Sequence, residues 1–313
     1  MAKTKAERRR TAGRRIQHPQ KKAESHIRVN KWLWPAIVAV VAVGAFLIAK
    51  QQAQGPSEAV APPATGLPDT PDYHSLLVDP ADPQRVVLGT HAGLYESTDG
   101  GRSWKTAELR GQDAMNLART PAKTVWAAGH GVLAKSEDAG ETWQDVRPDG
   151  LPGLDVHGFA ADPGNADRVY AAVAGKGLFV SVNGGETFDA VSTEVGPNVF
   201  GLAVTPGGRI LAADPGRGLL ASDDGGSTWR VVYEASVVGV AVSLADPQIA
   251  LATGPGILLS TDGGATWRQV QAIAEGAGPV AWAPSDPSVA YVVGFDRKLY
   301  GTRDAGATWE AMG

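Results

Sequence analysis

Two hydrophobic patterns divide the chain. Residues 32–49 form an uninterrupted run of eighteen uncharged, mostly apolar residues between Lys31 and Lys50. From residue 71 onward, short apolar segments alternate with clusters of Gly, Asp, Asn and Pro. The first pattern is typical of a membrane-spanning helix, and the second of many short β-strands joined by tight turns.

The apolar run is long enough to cross a bilayer. Eighteen helical residues span about 27 Å, against a hydrocarbon core of about 30 Å. Trp32 and Trp34 stand where aromatic residues meet the membrane interface. The pattern therefore predicts a transmembrane helix over residues 32–49. A cleavable signal peptide is the alternative, but no A-x-A-like site follows the run directly, and without any Cys there is no lipid-anchor cysteine.

The charge distribution predicts the orientation of this helix. Residues 1–31 carry eleven Lys and Arg against two Glu, a formal charge of +9, so the rest of the chain carries −13 to give the net −4. A basic flank stays in the cytoplasm, and its place beside the helix argues against nucleic acid as its partner. We expect a cytoplasmic tail over 1–31, a single-pass anchor in the cell membrane over 32–49, a Pro- and Ala-rich linker over 50–70, and an extracytoplasmic domain over 71–313.

One octet determines the architecture of that domain. It recurs six times as variants of S-T-D-G-G-x-T-W, and its third position is occupied by Asp99, Asp138, Asn183, Asp224, Asp262 and Asp304. Asp and Asn bond nearby backbone N–H groups in turns, and Gly permits positive φ. The copies lie 38–45 residues apart, which is the period of four-stranded propeller blades. The pattern predicts an all-β, six-bladed β-propeller in which each octet joins the third strand to the fourth.

The octets match the Asp box, so residues 71–313 resemble the Asp-box, or BNR-type, β-propellers. That group includes sialidases, sortilin-type receptors, photosystem II assembly factors and bacterial membrane-anchored proteins of glycosyl-hydrolase-like type. In this family the boxes lie on the face opposite to the ligand site, so the resemblance implies that the six octets are structural. It specifies the fold rather than an activity, because one fold hosts many functions.

A glycosidase is the alternative function. A sialidase needs an arginine clamp, a Tyr nucleophile and an acidic donor, yet the stretch before the first octet, HSLLVDPADPQRVVLG, lacks the F/Y-R-I-P motif of that family. Acidic residues occur in the loops between blades, at Glu108, Asp113, Asp155, Glu194, Glu234 and Glu275. Their spacing along the chain does not specify the separation of about 5–9 Å that paired carboxylates require. The sequence favours a non-enzymatic binding or scaffold propeller.

Four histidines map to the predicted ligand face of blades 1–3. They are His74, His91, His130 and His157, with Met115 at the equivalent position of blade 2. Imidazole is the commonest metal ligand, and a thioether beside it favours copper. The sequence predicts a metal site of these five residues for copper or zinc; the alternative is packing at strand starts and solvated turns. The segments at His74, His91 and His130 resemble the HGL, THxGL and SGH segments of bacterial membrane-anchored propellers.

Basic residues follow in the equivalent turns of the other blades. Lys176, Arg217 and Arg297 are predicted to form a rim that attracts an anionic ligand, or else are ordinary solvated charges. Together these patterns suggest a membrane-tethered propeller that binds a metal, a small ligand or a membrane protein. Its resemblance to photosystem assembly factors implies a part in assembling a membrane complex.

The orientation can be tested with protease on intact cells. Cleavage is expected to remove a C-terminal epitope and to leave a short N-terminal, membrane-bound fragment, because residues 51–313 lie outside. Immunoblots with tags at each end report both fragments. Survival of the C-terminal epitope in intact cells, with cleavage only after lysis, would show the opposite topology.

Overall fold

The computed structural model describes residues 64–195 and 198–312. The predicted tail, the membrane helix over 32–49 and most of the linker lie outside these residues. Within the described ranges no helix is long and apolar enough to cross a bilayer. The described residues form β-strands and the turns between them.

Six blades follow one another along the chain, each a meander of four consecutive antiparallel strands. A two-residue strand, β1 (Ala64–Thr65), comes first. Blades 1–3 consist of β2 (Ser75–Val78), β3 (Val86–Thr90), β4 (Gly93–Ser97), β5 (Ser103–Thr106); β6 (Asn116–Arg119), β7 (Val125–Gly129), β8 (Val132–Ser136), β9 (Gln144–Asp145); and β10 (Val156–Asp162), β11 (Asn165–Val173), β12 (Gly177–Ser181), β13 (Asp189–Ser192). Blades 4–6 consist of β14 (Gly201–Val204), β15 (Ile210–Asp214), β16 (Gly218–Ser222), β17 (Arg230–Tyr233); β18 (Gly239–Val242), β19 (Ala250–Thr253), β20 (Gly256–Ser260), β21 (Arg268–Ala272); and β22 (Ala277–Ala283), β23 (Asp286–Gly294), β24 (Leu299–Thr302), β25 (Glu310–Met312).

The blades close into a ring through their first strands. Each first strand contacts the first strand of the next blade, and β22 of blade 6 contacts β2 of blade 1. Six hydrophobic clusters fill the six seams between neighbouring blades. In the seam between blades 2 and 3, for example, the rings of Trp126 and Phe159 lie 5.5 Å apart. The prediction of an all-β, six-bladed propeller is confirmed.

Each octet forms the turn between the third and fourth strands of its blade. In blade 1, Ser97 Oγ donates to Asp99 Oδ1 (2.8 Å) and accepts from Gly101 N (2.8 Å). Asp99 Oδ1 also accepts from Ser103 N (2.9 Å). Blade 3 keeps the same contacts with Asn183, whose Oδ1 accepts from Ser181 Oγ at 2.8 Å. The octet therefore satisfies the backbone donors of a tight turn with its own side chains.

The second Gly of the octet is required by the neighbouring blade as well as by its own turn. Gly185 has φ of 85°, a conformation that favours glycine. A Cβ on Gly185 would lie 2.4 Å from the Trp126 ring of blade 2, and one on Gly101 would lie 2.0 Å from Leu299 of blade 6. The missing side chain thus allows adjacent blades to pack closely.

Residues 64–70, assigned to the linker from their composition, lie against the propeller. Strand β1 pairs with β5 at the outer edge of blade 1, and the side chain of Leu67 packs on the cluster between blades 6 and 1. The guanidinium of Arg297 in blade 6 donates to Thr70 O (3.2 Å) and to Asp69 Oδ1 (2.9 Å). Since each described blade consists of consecutive strands, this segment, rather than a shared strand, bridges the first blade and the last.

The octet of blade 5 offers a stability test. Asp262→Ala removes the acceptor of Thr266 N (2.9 Å) and Ala265 N (3.1 Å). It is expected to lower the free energy of unfolding by about 1–2 kcal/mol, measured by denaturant melting. Asp262→Asn is the matched control, because Asn183 in blade 3 accepts from the equivalent backbone N–H of Thr187 and donates to its hydroxyl, and it should retain most of the stability. Equal melting of both variants and the wild type would show that the turn bonds contribute nothing.

The same carboxylate predicts an acid dependence. Hydrogen bonds from the hydroxyl and the N–H of Thr266 lower the pKa of Asp262 from 3.8 to about 2. A lowered folded-state pKa adds stability that is fully present above pH 3.8 and is lost as the pH falls through about 2. The stability difference between wild type and Asp262→Asn should therefore shrink between these pH values. A difference that stays constant through this range in acid melting curves would contradict the expectation.

Candidate metal centre

The four histidines of the propeller meet on the face opposite to the octets. His74 directly precedes β2, and His157 lies in β10. His91 and His130 lie in the turns between the second and third strands of blades 1 and 2. Antiparallel pairing aligns Ser75 with Gly89, so the start of each first strand stands beside that turn. We call these four residues, with the aspartates that contact them, the histidine face.

His74 and His91 form the first pair. His74 Nε2 lies 3.0 Å from His91 Nδ1, with the two rings perpendicular. Asp72 contacts both nitrogens: its Oδ1 lies 3.2 Å from His74 Nε2, and its Oδ2 forms a short contact with His91 Nδ1. Burial lowers the pKa of His74, although the nearby Asp72 acts in the opposite direction. The lowered pKa favours the neutral imidazole.

His130 and His157 form the second pair. Their Nε2 atoms lie 3.1 Å apart, again with perpendicular rings. Asp155 Oδ1 lies 3.1 Å from His157 Nε2 and 3.4 Å from His130 Nε2. The far side of His157 stacks on Phe200 of blade 4, with ring centroids 5.4 Å apart. His130 Nε2, His157 Nε2 and Asp155 Oδ1 thus form a nearly equilateral triangle of metal-ligand atoms.

Asp113 joins the two pairs. Its Oδ2 lies 3.1 Å from His91 Nε2 and 2.5 Å from His130 Nδ1. The His91 and His130 rings stack in parallel, 6.0 Å apart, on either side of it. The carboxylate is only 10% exposed, and its Oδ1 has no hydrogen-bond partner. An unpaired buried carboxylate oxygen is costly, so a nearby cation would stabilise it.

The distances suit metal coordination. Two ligand atoms bound to one ion at about 2.0–2.1 Å, with angles of about 90–109°, lie about 2.9–3.4 Å apart. The second triangle has sides of 3.1, 3.1 and 3.4 Å, and two sides of the first are 3.0 and 3.2 Å. Three overlapping groups of donors result: Asp72, His74 and His91; His91, Asp113 and His130; His130, Asp155 and His157.

The aspartates are the members that the sequence patterns did not identify as ligands. The sequence indicates Asp113 and Asp155 only as acidic residues in loops that a hydrolase could use, and it does not distinguish Asp72. The sequence does contain a pattern that marks these aspartates. Asp72, Asp113 and Asp155 each stand two residues before the start-of-strand residue of their blade, which gives D-x-H, D-x-M and D-x-H in blades 1, 2 and 3. The equivalent positions of blades 4–6 are occupied by Asn198, Ser236 and Gly278.

The other predicted site residues lie apart from the two pairs. Met115 is buried and lines, with His74, a cavity of 70 Å³ on the central axis. Arg217 donates to Glu194 O at 2.6 Å, Arg297 is bound to residues 69–70, and Lys176 is exposed. Their role as an anion-binding rim stays a prediction.

Comparisons with known proteins place the fold. Residues 75–215 match the family model described as photosynthesis system II assembly factor YCF48. The solved structure of YCF48 from Cyanidioschyzon merolae is 16% identical with a TM-score of 0.51, over 80% of this chain and 88% of that one. A structure of YCF48 bound to D1 peptide is also 16% identical, with a TM-score of 0.52, over 80% of this chain and 84% of that one.

A larger glycosidase is also similar. The GH74 xyloglucanase from Xanthomonas campestris is 25% identical with a TM-score of 0.49 over 74% of this chain, which spans only 36% of that enzyme. A search of the curated proteins finds no match. The six octets in register, the closed ring of six blades and the matching family model lead to one conclusion. This chain is a six-bladed β-propeller that is similar to the BNR-type (Asp-box) propellers and, over residues 75–215, to the photosystem II assembly factor YCF48.

Proposed function

We propose that this chain is a membrane-tethered, extracytoplasmic propeller whose histidine face binds a divalent transition metal. The observation that carries the proposal is the convergence of two imidazole nitrogens and one carboxylate, twice, at the spacing of metal ligands. In each pair the two nitrogens lie 3.0 or 3.1 Å apart. A packing role alone would not require three carboxylates to converge on the same nitrogens.

The donor set selects the class of metal. Imidazole suits Cu, Zn, Fe and Ni, whereas carboxylate oxygen favours divalent ions over soft Cu(I). The thioether of Met115 was the reason to favour copper, and the aspartates now shift the preference from Cu(I) to Cu(II). Among divalent first-row ions Cu(II) binds such sites most tightly, so copper remains the leading candidate, with zinc as its alternative.

A metal-free network of protons is the competing explanation for these contacts. His91 and His130 each have a carboxylate oxygen facing both of their ring nitrogens. A neutral imidazole has only one N–H, so metal-free rings must bind extra protons or leave two lone pairs opposed. A divalent cation satisfies the same nitrogens and oxygens together. The two explanations differ in whether the chain binds metal tightly.

We also propose that the propeller takes part in assembling a membrane complex. The YCF48 structure with its D1 peptide suggests a segment of a membrane protein as a partner class for this chain. The predicted anchor over 32–49 would hold the histidine face close to such a partner outside the cytoplasm. The alternative of a glycosyl-hydrolase-like enzyme has no specific observation in its favour among the described residues.

Metal titration of the full-length chain tests the proposal. The protein is purified in detergent in a His18→Ala/His26→Ala background, which removes the histidines of the predicted tail. Cu(II), Zn(II) and Cu(I) are added in turn against a competing chelator. His91→Ala/His130→Ala is expected to weaken Cu(II) binding by at least about 100-fold, because each imidazole contributes to two donor groups.

Lys176→Ala is the matched control, since this exposed residue lies on the same side of the propeller but outside the donor groups. It should bind Cu(II) as the background does. Unchanged affinity in the double histidine variant would exclude metal binding at the histidine face.

A further inference from the structure

The geometry points to two metal ions on the histidine face rather than one, an inference that rests on the proposed function. The first ion is bound by Asp72, His74 and His91. The second is bound by His130, Asp155 and His157. Asp113 lies between the two triads as a positioning residue that determines which nitrogen of His91 and which nitrogen of His130 faces the metal.

The two triads share no residue. His91 presents Nδ1 to the first triad and turns Nε2 toward Asp113. His130 presents Nε2 to the second triad and turns Nδ1 toward the same carboxylate. The two rings are therefore used in opposite senses, each with one nitrogen in a triad and the other on Asp113. Both triads can be filled at once with neutral imidazoles.

Asp113 determines the tautomers. A neutral imidazole has one N–H and one lone pair, and the hydrogen bond at one nitrogen decides which nitrogen binds metal. Asp113 Oδ2 lies 3.1 Å from His91 Nε2 and 2.5 Å from His130 Nδ1, so it is placed to accept a hydrogen bond from each of these nitrogens when each carries the N–H. When His91 Nε2 and His130 Nδ1 carry the protons and donate to Asp113, the lone pairs of His91 Nδ1 and His130 Nε2 point into their triads.

A third ion between the triads is excluded by the same count of protons. It would need His91 Nε2 and His130 Nδ1 as ligands, and these are the nitrogens that must carry the N–H groups when His91 Nδ1 and His130 Nε2 bind the outer ions. With the outer ions in place, each ring would have to lose its second proton as well. The middle group also has no imidazole of its own, because Met115 stands where blades 1 and 3 have His74 and His157, and both of its rings already belong to the outer triads. Occupation is therefore two outer ions or one middle ion, never three with neutral rings.

The charges of the three carboxylates are compatible with two ions in the outer triads. Two divalent ions bring four positive charges, and Asp72, Asp113 and Asp155 supply three negative ones at the same surface. The Asp113 carboxylate lies between the triads, where it offsets the repulsion between the ions. Its otherwise unpartnered Oδ1, 3.9 Å from His74 Nε2, faces the first triad.

The test is the Cu(II) stoichiometry of the full chain, again in the His18→Ala/His26→Ala background. We expect two tightly bound ions per chain and a dipolar coupling between them in electron paramagnetic resonance spectra. His74→Ala and His157→Ala each remove a residue unique to one triad, so each should bind one ion with no dipolar coupling. His74→Gln and His157→Gln, with far-ultraviolet circular dichroism, show whether a loss reflects the ligand or the fold.

Asp113→Asn separates positioning from ligation. The variant should still bind two ions, each about 10–100-fold more weakly. Electron spin-echo modulation from the remote nitrogens of the metal-bound rings should change, because those nitrogens lose their carboxylate acceptor. Met115→Leu, the matched control at the wall of the central cavity, should alter neither the stoichiometry nor this modulation.

Three results would overturn the inference. A single ion that is lost in Asp113→Asn but kept in His74→Ala and His157→Ala places the metal in the middle, and the proposed function survives. If both His74→Ala and His157→Ala still bind two ions, the ions are bound by other residues and the inference is wrong. No tight Cu(II) or Zn(II) binding in the background chain overturns the proposed function together with the inference.

Discussion

Antiparallel pairing of four consecutive strands is the constraint on which the rest of this molecule depends. It places the start of the first strand beside the turn between the second and third strands. The turn between the first and second strands and the octet between the third and fourth strands lie at the opposite end of the blade. His91 contacts Asp72, 19 residues before it, and His130 contacts Asp113, 17 residues before it. The equivalent aspartate and histidine meet in both blades because both blades have the same meander.

The ring then brings neighbouring blades close enough for side chains to meet across the seams. The octets contribute through their second glycine, whose missing side chain admits Trp126 or Leu299 from the adjacent blade. At the seam between blades 6 and 1, residues 64–70 and Arg297 add polar contacts to the apolar cluster. Close seams matter for function, because Asp113 and Asp155 each contact a histidine of the preceding blade.

Electrostatics distinguishes the two faces. On the octet face the carboxylates are saturated by their own turns, as the low pKa of Asp262 reflects. On the histidine face Asp72, Asp113 and Asp155 contact imidazole nitrogens, and Asp113 retains an unpartnered buried oxygen. Carboxylates that accept hydrogen bonds from backbone N–H groups stabilise turns. Carboxylates that lie beside imidazole nitrogens can bind a cation together with those nitrogens. The two sets of aspartates therefore have different roles although both recur with the blades.

The amino-acid sequence by itself determined the number of blades, the position of every octet and the face to which the four histidines map. These properties depend on period and on local turn chemistry, and both are written in consecutive residues. Only the tertiary structure decided that the histidines meet as two pairs, that Asp72, Asp113 and Asp155 join them, and that Arg297 contacts Asp69. Contacts such as His130 with His157, 27 residues apart and across a seam, depend on how whole blades pack and on side-chain rotamers. Periodicity places such residues on the same face, but it does not specify which ring nitrogen meets which oxygen.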